Sequence, residues 1–180
     1  MRLYGQRKGR MSVTIQRMEK QDIRLIYAAP AVTGTRRPVD LYDRYFREQE
    51  KGERAVLLAF YDGEFAGHVT VVWSSAYPSF RERGVPEIKD LVFHTGLLRR
   101  GIATALMDEA ERHIFERSTV AGIGVGMHAG YGPAQVMYTR RGYVPDGRGL
   151  MYREEAVVPM EAVRVDDDLV LYLVKERQGS

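Results

Sequence analysis

Between positions 98 and 104 the chain reads Leu98-Arg99-Arg100-Gly101-Ile102-Ala103-Thr104, two cations followed at once by small residues. This run heads the most regular amphipathic stretch in the sequence. A helix start ordinarily carries Ser, Thr, Asp or Asn, whose side-chain oxygen satisfies an amide that has no partner inside the helix. A start built from Gly101 and Ala103 instead leaves about four N–H groups open at the positive end of the helix dipole. Such an end binds phosphate when no side chain blocks the approach, and Arg99 with Arg100 add charge at its rim. The chemistry expected is anion binding, with the ligand's phosphate acting as the cap. A P-loop needs Gly-Lys-Ser/Thr, and a dinucleotide-binding turn needs three glycines at fixed spacing; this stretch has neither. Nucleoside-triphosphate hydrolysis and hydride transfer are therefore not indicated.

The elements that must position this site follow from the hydrophobic pattern. Residues 12–18 predict a strand, and residues 20–29 a helix with Ile23, Ile26 and Tyr27 on its inner side. Pro38 suits the first position of a second helix, with Asp40 in its first turn, Leu41, Tyr45 and Gln49 on one face and Gly52 at its end. Residues 54–75 are two β-rich runs around Asp62-Gly63, a dipeptide that takes positive φ in a tight hairpin turn. A loop over 76–86 leads to a strand over 87–93. In the helix that follows, Ile102, Leu106, Ala110 and Ile114 recur on the face that packs on the sheet. Residues 119–127 form a glycine-rich strand, in which Gly122, Gly124 or Gly126 marks a close approach or a splayed neighbour. Pro133 begins a further helix that Gly142 ends in the left-handed conformation. Residues 142–147 read as a loop and 166–176 as a last strand. This order gives one α/β domain with a mixed, mostly antiparallel sheet flanked by helices.

Composition narrows the function classes. Without cysteine there are no disulfides, thiolate nucleophiles or zinc–thiolate sites, and the four histidines are too scattered for a metal cage, so no metal is expected. No apolar run reaches the roughly 18 residues that span a bilayer, and the start lacks the apolar middle of a secretory signal, which points to the cytoplasm. The net charge of +3 is concentrated at the start: Arg2, Arg7, Lys8 and Arg10 leave 23 basic against 24 acidic side chains elsewhere. Residues 1–11 thus read as a basic flexible leader to a near-neutral domain over 12–178. A nucleic-acid partner is not expected.

The strand at 87–93, the helix from Leu97 to Glu111, the next strand and the run from Tyr131 to Gly147 together resemble the Gcn5-related N-acetyltransferase (GNAT) family, over nearly all of 12–178. The resemblance implies that family's sheet, with a splayed central strand pair. It also implies acetyl-coenzyme A as co-substrate. The family's Arg/Gln-x-x-Gly-x-Gly/Ala signature, which wraps the cofactor's pyrophosphate, falls on Leu98, Arg99, Arg100, Gly101, Ile102 and Ala103, with Thr104 next in the first turn. Leu98 stands in the Arg/Gln place, so backbone amides carry the phosphates. A second signature, Asn-x-x-Ala-x-x-x-Tyr followed by Gly-Phe, falls on Tyr131, Ala134, Tyr138, Gly142 and Tyr143, with Tyr131 in the Asn place.

By the same resemblance the main chain of Leu91, Val92 and Phe93 lends groups to the pantetheine and acetyl, and Tyr138 protonates the departing thiolate. A phenol of pKa near 10 keeps its proton at neutral pH and can give it there. Glu87 is the first choice of base, through a water. Asp90 and water alone are alternatives, Asp90 pointing to the other strand face if alternation holds. The activity implied is acetyl transfer to a primary amine of a small molecule or peptide. The rival is a non-catalytic acyl-coenzyme A sensor or partner module, which has no need of a phenol at the sulfur. Tyr27, Tyr42, Tyr45 and Trp73 are either acceptor-pocket residues or core, His68 and His94 are read as structural, and Asp166, Asp167 and Asp168 as a solvated turn. The edge of a terminal strand offers a homodimer contact without membrane involvement.

Overall fold

The computed structural model describes residues 12–29 and 40–177, so the leader and Pro38 lie outside the described residues. The elements run β1 (Val13–Arg17), α1 (Asp22–Ala28), α2 (Leu41–Glu50), β2 (Arg54–Tyr61), β3 (Glu64–Val72), α3 (Pro78–Arg83) and β4 (Glu87–Phe93). They continue with α4 (Ile102–Phe115), β5 (Val120–Gly126), α5 (Gly132–Arg140), β6 (Val144–Tyr152), β7 (Glu155–Ala156) and β8 (Leu169–Glu176). The strands form one sheet in the order β1-β2-β3-β4-β5-β8-β6-β7. Among the described strands the pair β4–β5 alone is parallel.

The β2–β3 hairpin turns on Asp62 and Gly63, with φ of 51° and 86°, the double positive φ that such a turn demands. One sheet face packs α4: Ile102, Leu106, Ala110 and Ile114 are buried in a cluster with Leu57, Val71, Ile88, Ile123 and Tyr138. Each fully buried Leu or Ile there contributes about 1.5–3 kcal/mol. The other face carries α1 and α2 over Val56 and Leu58, and α3 with Tyr77 and Phe80 over Tyr172. Gly142 ends the α5 region with φ of 88°.

Three expectations are corrected. Tyr27 is 41% exposed rather than inward, because its hydroxyl accepts from the Tyr42 amide at 3.2 Å and so stays at the rim of α2. The stretch 76–86 holds the helix α3, which starts on Pro78 and stops at Gly84 with φ of 62°. Six residues are too few to show a helical period, and only the two flanking residues mark it. The stretch 142–147 contains the start of β6. That strand pairs β8 at Val144 and Pro145, bulges out, and pairs again from Leu150, so Gly147 and Gly149 at positive φ hide a strand behind a turn's composition.

Candidate active site

The sheet opens into a fork at its centre. β4 and β5 pair at Glu87 with Gly122 and at Ile88 with Ile123, and no further pair joins them. Two local features explain the parting. On one face of β5, Gly122, Gly124 and Gly126 supply no side chains, and aromatic rings of Phe80, Tyr172 and Tyr131 lie where Cβ atoms would be. β4 meanwhile carries a bulge. Thr70 faces Lys89 and His68 faces Val92, leaving one extra residue on β4, and Asp90 takes φ of 54° to absorb it. The β5-facing main-chain edge of Leu91, Val92 and Phe93 is thus outside the ladder, as a ligand running between the strands requires.

The bulge also reverses the alternation of side chains. Leu91 and Phe93 pack with Ile88 on the α4 face. Asp90 reaches the α2 face, where its Oδ2 accepts from Tyr45 Oη at 2.7 Å, Thr70 Oγ1 at 3.2 Å and Arg54 Nη1 at 3.3 Å. The expectation that Asp90 points away from the Glu87 face fails for this reason.

At the fork's open end stands the head of α4. Gly101 is its cap at φ of 79°, and among the described residues no side chain satisfies that end. The first intrahelical bond runs from the Ala105 amide to the Gly101 carbonyl at 2.9 Å, so the amides of Ile102, Ala103 and Thr104 have no acceptor within the helix. Arg99 also takes positive φ, 63°, a conformation that costs a non-glycine residue about 1–2 kcal/mol. A hollow of about 120 Å³ joins this end to the fork, lined by Phe93, Leu97 to Arg99 and Gly101 to Thr104. Leu98 is 60% exposed and Ile102 is buried to 2%, so Ile102 can contribute only its amide. Arg100 leans back toward β2, its guanidinium carbon 6.0 Å from the Tyr61 ring centroid.

Tyr138 comes to the same face from α5. It is buried, edge-on to Tyr143 with centroids 6.1 Å apart, and burial, then Tyr131, pushes its phenol up to about 12. It is therefore a proton holder at neutral pH. Ala134 is half-buried against this cluster. Tyr131 packs its ring over Gly126 and gives its hydroxyl to Asp167 Oδ1 at 3.1 Å, the oxygen that also lies 2.9 Å from His128 Nε2. Asp167 is thereby held below the usual carboxylate range, by His128 first and Tyr131 second. Gln135 was not visible in the motif, yet its Nε2 donates to the Gly126 carbonyl at 2.9 Å and ties α5 to the end of β5.

Glu87 lies at the fork's vertex on the opposite face, buried to 2%. Its Oε2 accepts from Ser75 Oγ at 2.6 Å, and its Oε1 lies 3.6 Å from Lys89 Nζ. Burial raises its pKa above the usual carboxylate value; Lys89 and Ser75 oppose this only in part. Asp90, by contrast, is committed to Tyr45 and Arg54, and the Arg54 guanidinium sits 4.1 Å above the Tyr45 ring. Sequence reading missed Ser75 and Arg54 because a lone serine and a lone arginine carry no spacing signal. Of the four aromatic candidates, Tyr42 and Tyr45 are core residues that meet edge to face, Tyr27 stands at their rim, and Trp73 lies elsewhere under Arg117.

Comparison with known proteins bears on the fold and the family. No curated protein matches the sequence. Ard1 from Thermoplasma volcanium is similar in structure, with a TM-score of 0.67 at 16% identity, covering 93% of this chain and 99% of that one. A ribosomal-protein-alanine N-acetyltransferase from Brucella melitensis gives 0.65 at 15%, covering 91% and 99%. The Salmonella typhimurium protein yncA, solved with acetyl-coenzyme A, gives 0.63 at 15%, covering 93% and 95%. At these identities the likeness is one of fold. The model of the acetyltransferase (GNAT) family matches residues 19–143, from the start of α1 through the Tyr138 helix. The chain belongs to that family of acetyl-coenzyme A-dependent acetyltransferases.

Proposed function

We propose that this protein is an N-acetyltransferase that moves the acetyl group from acetyl-coenzyme A directly to a primary amine of a small molecule or peptide, with residues 12–178 as one catalytic domain. The observation that carries the reading is the continuous path from the parted β4–β5 edge to the uncapped head of α4. The amides of Ile102, Ala103 and Thr104 hold the diphosphate, with Leu98, Arg99, Arg100 and Gly101 shaping the turn around it. The free edge at Leu91 to Phe93 holds the pantetheine arm and offers an N–H to the carbonyl oxygen as negative charge develops there. Tyr131 and Ala134 border that arm from the α5 side.

In the transfer the amine nitrogen bonds to the thioester carbonyl carbon and the carbon–sulfur bond breaks. Glu87 takes the proton lost by the amine, through a water, and Tyr138 gives its phenolic proton to the departing sulfur. Solvent exchange then returns a proton to Tyr138 and removes one from Glu87. The raised proton affinity of buried Glu87 suits a base that must work near neutral pH.

The test is release of free coenzyme A thiol from acetyl-coenzyme A across a panel of diamines, amino acids and peptides with free N-termini or lysines. Thiol release with stoichiometric amide formation on at least one amine supports the reading. Acetyl-coenzyme A binding with no thiol release across the panel would replace it by a binding module.

A further inference from the structure

Glu87 is held in place by a residue outside its own strand. Ser75 lies between β3 and α3, buried to 1% beside Glu87 at 2%. A serine hydroxyl has one proton to give and lone pairs with which to accept. The Tyr77 amide donates to Ser75 Oγ at 3.0 Å, and Ser75 Oγ donates to Glu87 Oε2 at 2.6 Å. The first bond uses one lone pair and fixes the oxygen, and the second carries the hydroxyl proton to Glu87. Tyr77 is itself immobilised. Its ring stacks on Tyr172 at 3.7 Å between centroids and 5° between planes, and its hydroxyl donates to Asp146 Oδ2 at 2.8 Å. A rigid aromatic cluster thus sets where a carboxylate on β4 must sit. The remaining oxygen, Oε1, lies 3.6 Å from Nζ of Lys89, whose side chain is 35% exposed, and the other titratable groups that act on Glu87 are Asp90 and, from β8, Tyr172.

We propose that Ser75 is the positioning residue for Glu87, anchoring Oε2 by a hydrogen bond to the carboxylate so that Oε1 is the oxygen presented to the incoming proton. The inference rests on the reading of Glu87 as the base. Ser75 touches neither substrate; it acts through Glu87 alone. A donated bond of 2.6 Å falls in the range of short, charge-assisted O–H to carboxylate bonds and favours the ionised form. It therefore opposes the burial that would otherwise keep the carboxyl protonated. Without Ser75 the carboxyl holds its proton to higher pH, and less of the enzyme has a free base at neutral pH.

The direct test is a carbon-13 titration of the Glu87 carboxyl in the free protein, assigned by the peak lost in Glu87→Gln. Ser75→Ala should raise the midpoint by about one pH unit, roughly the weight of one hydrogen bond to a charged group. Ser75→Thr should restore it, and Ser75→Cys, a weak donor of similar shape, should fall between and serve if the alanine variant does not fold. With acetyl-coenzyme A and the panel amine that releases thiol fastest, Ser75→Ala should lower kcat near neutral pH, leave KM for acetyl-coenzyme A unchanged, and recover at higher pH. An unmoved midpoint in both the Ala and Cys variants, or a shift that threonine does not reverse, would overturn the inference. Wild-type turnover by Glu87→Gln would instead remove the base reading, and this inference with it. Lost turnover in Glu87→Gln beside an unmoved midpoint in Ser75→Ala would remove the inference alone.

Discussion

The two ends of the β4–β5 fork are built from different materials. At the open end, the head of α4 is made of main chain: three amides without helical acceptors behind a glycine at φ of 79°, with no side-chain cap among the described residues. At the vertex, Glu87 and Asp90 are each governed by specific side-chain partners, Ser75 from outside the strand and Lys89 within it for one, Tyr45, Thr70 and Arg54 from other elements for the other. A backbone site needs only that nothing obstructs it, so it tolerates exchange of its neighbours. A side-chain site depends on the identity of each partner. On the proposed reading, the first suits a constant donor such as coenzyme A, and the second is where one acceptor can be told from another.

The largest effect that could break this contrast comes from obstructing the backbone end. Gly101→Glu places a carboxylate where the proposed site holds the diphosphate and forces a side chain into positive φ, so thermal stabilisation by acetyl-coenzyme A should vanish. In the wild type that stabilisation is about 2.7 kcal/mol at a hundredfold excess over Kd, a rise of roughly 5–10 °C in Tm. Retention of the full shift would move the diphosphate away from α4.

Loss of the phenol comes next. Tyr138→Phe should lower kcat by about 10²–10³, the usual weight of one acid or base, with acetyl-coenzyme A binding unchanged by calorimetry. A parallel loss of binding would make Tyr138 a packing residue.

At the vertex, Glu87→Gln should lower kcat/KM by about 10² and abolish its acid limb, read from a pH profile of thiol release. It should also raise Tm at neutral pH. The sign follows from the raised pKa: the folded state binds the proton more tightly than the unfolded chain, so ionised Glu87 costs stability above its folded pKa. The gain should disappear as pH falls through the folded pKa and below the ordinary 4.5, where the carboxyl is neutral in both the folded and the unfolded chain. A variant less active and less stable at neutral pH would contradict this.

The smallest effect is expected from Arg99→Gly. It relieves a positive φ worth about 1–2 kcal/mol while adding freedom to the unfolded chain worth about 0.4–1 kcal/mol, so Tm should change little. If amides rather than the Arg99 side chain hold the phosphates, Kd for acetyl-coenzyme A should stay within about fivefold. A hundredfold loss would make the open end a side-chain site after all.

The same contrast explains what the sequence made legible. The helix face of Ile102, Leu106, Ala110 and Ile114, the Asp62-Gly63 turn and the Gly142 stop each follow from local periodicity or a local φ requirement. The uncapped head of α4 was readable for the same reason, since an absent cap residue is a local fact. The glycines of β5 signalled close approach, though not that rings from α3, β8 and the start of α5 would fill the space. What stayed hidden depends on contacts far apart in the chain. Asp90 breaks strand alternation because one extra residue must be absorbed against β3, and nothing adjacent to it announces that. Ser75 and Glu87 meet across twelve positions, and Tyr77 and Asp146 across 69. β6 was obscured because its glycines belong to a bulge inside a strand rather than to a turn between strands.

The most direct test of the central claim is an amide NMR titration of the nitrogen-15-labelled protein with coenzyme A and, separately, with pantetheine, which has no diphosphate. The amides of Ile102, Ala103 and Thr104 should move strongly with coenzyme A and hardly at all with pantetheine, while those of Leu91 to Phe93 move with both. If coenzyme A binds and leaves the three helix-head amides unmoved, the diphosphate is held elsewhere and the account is wrong.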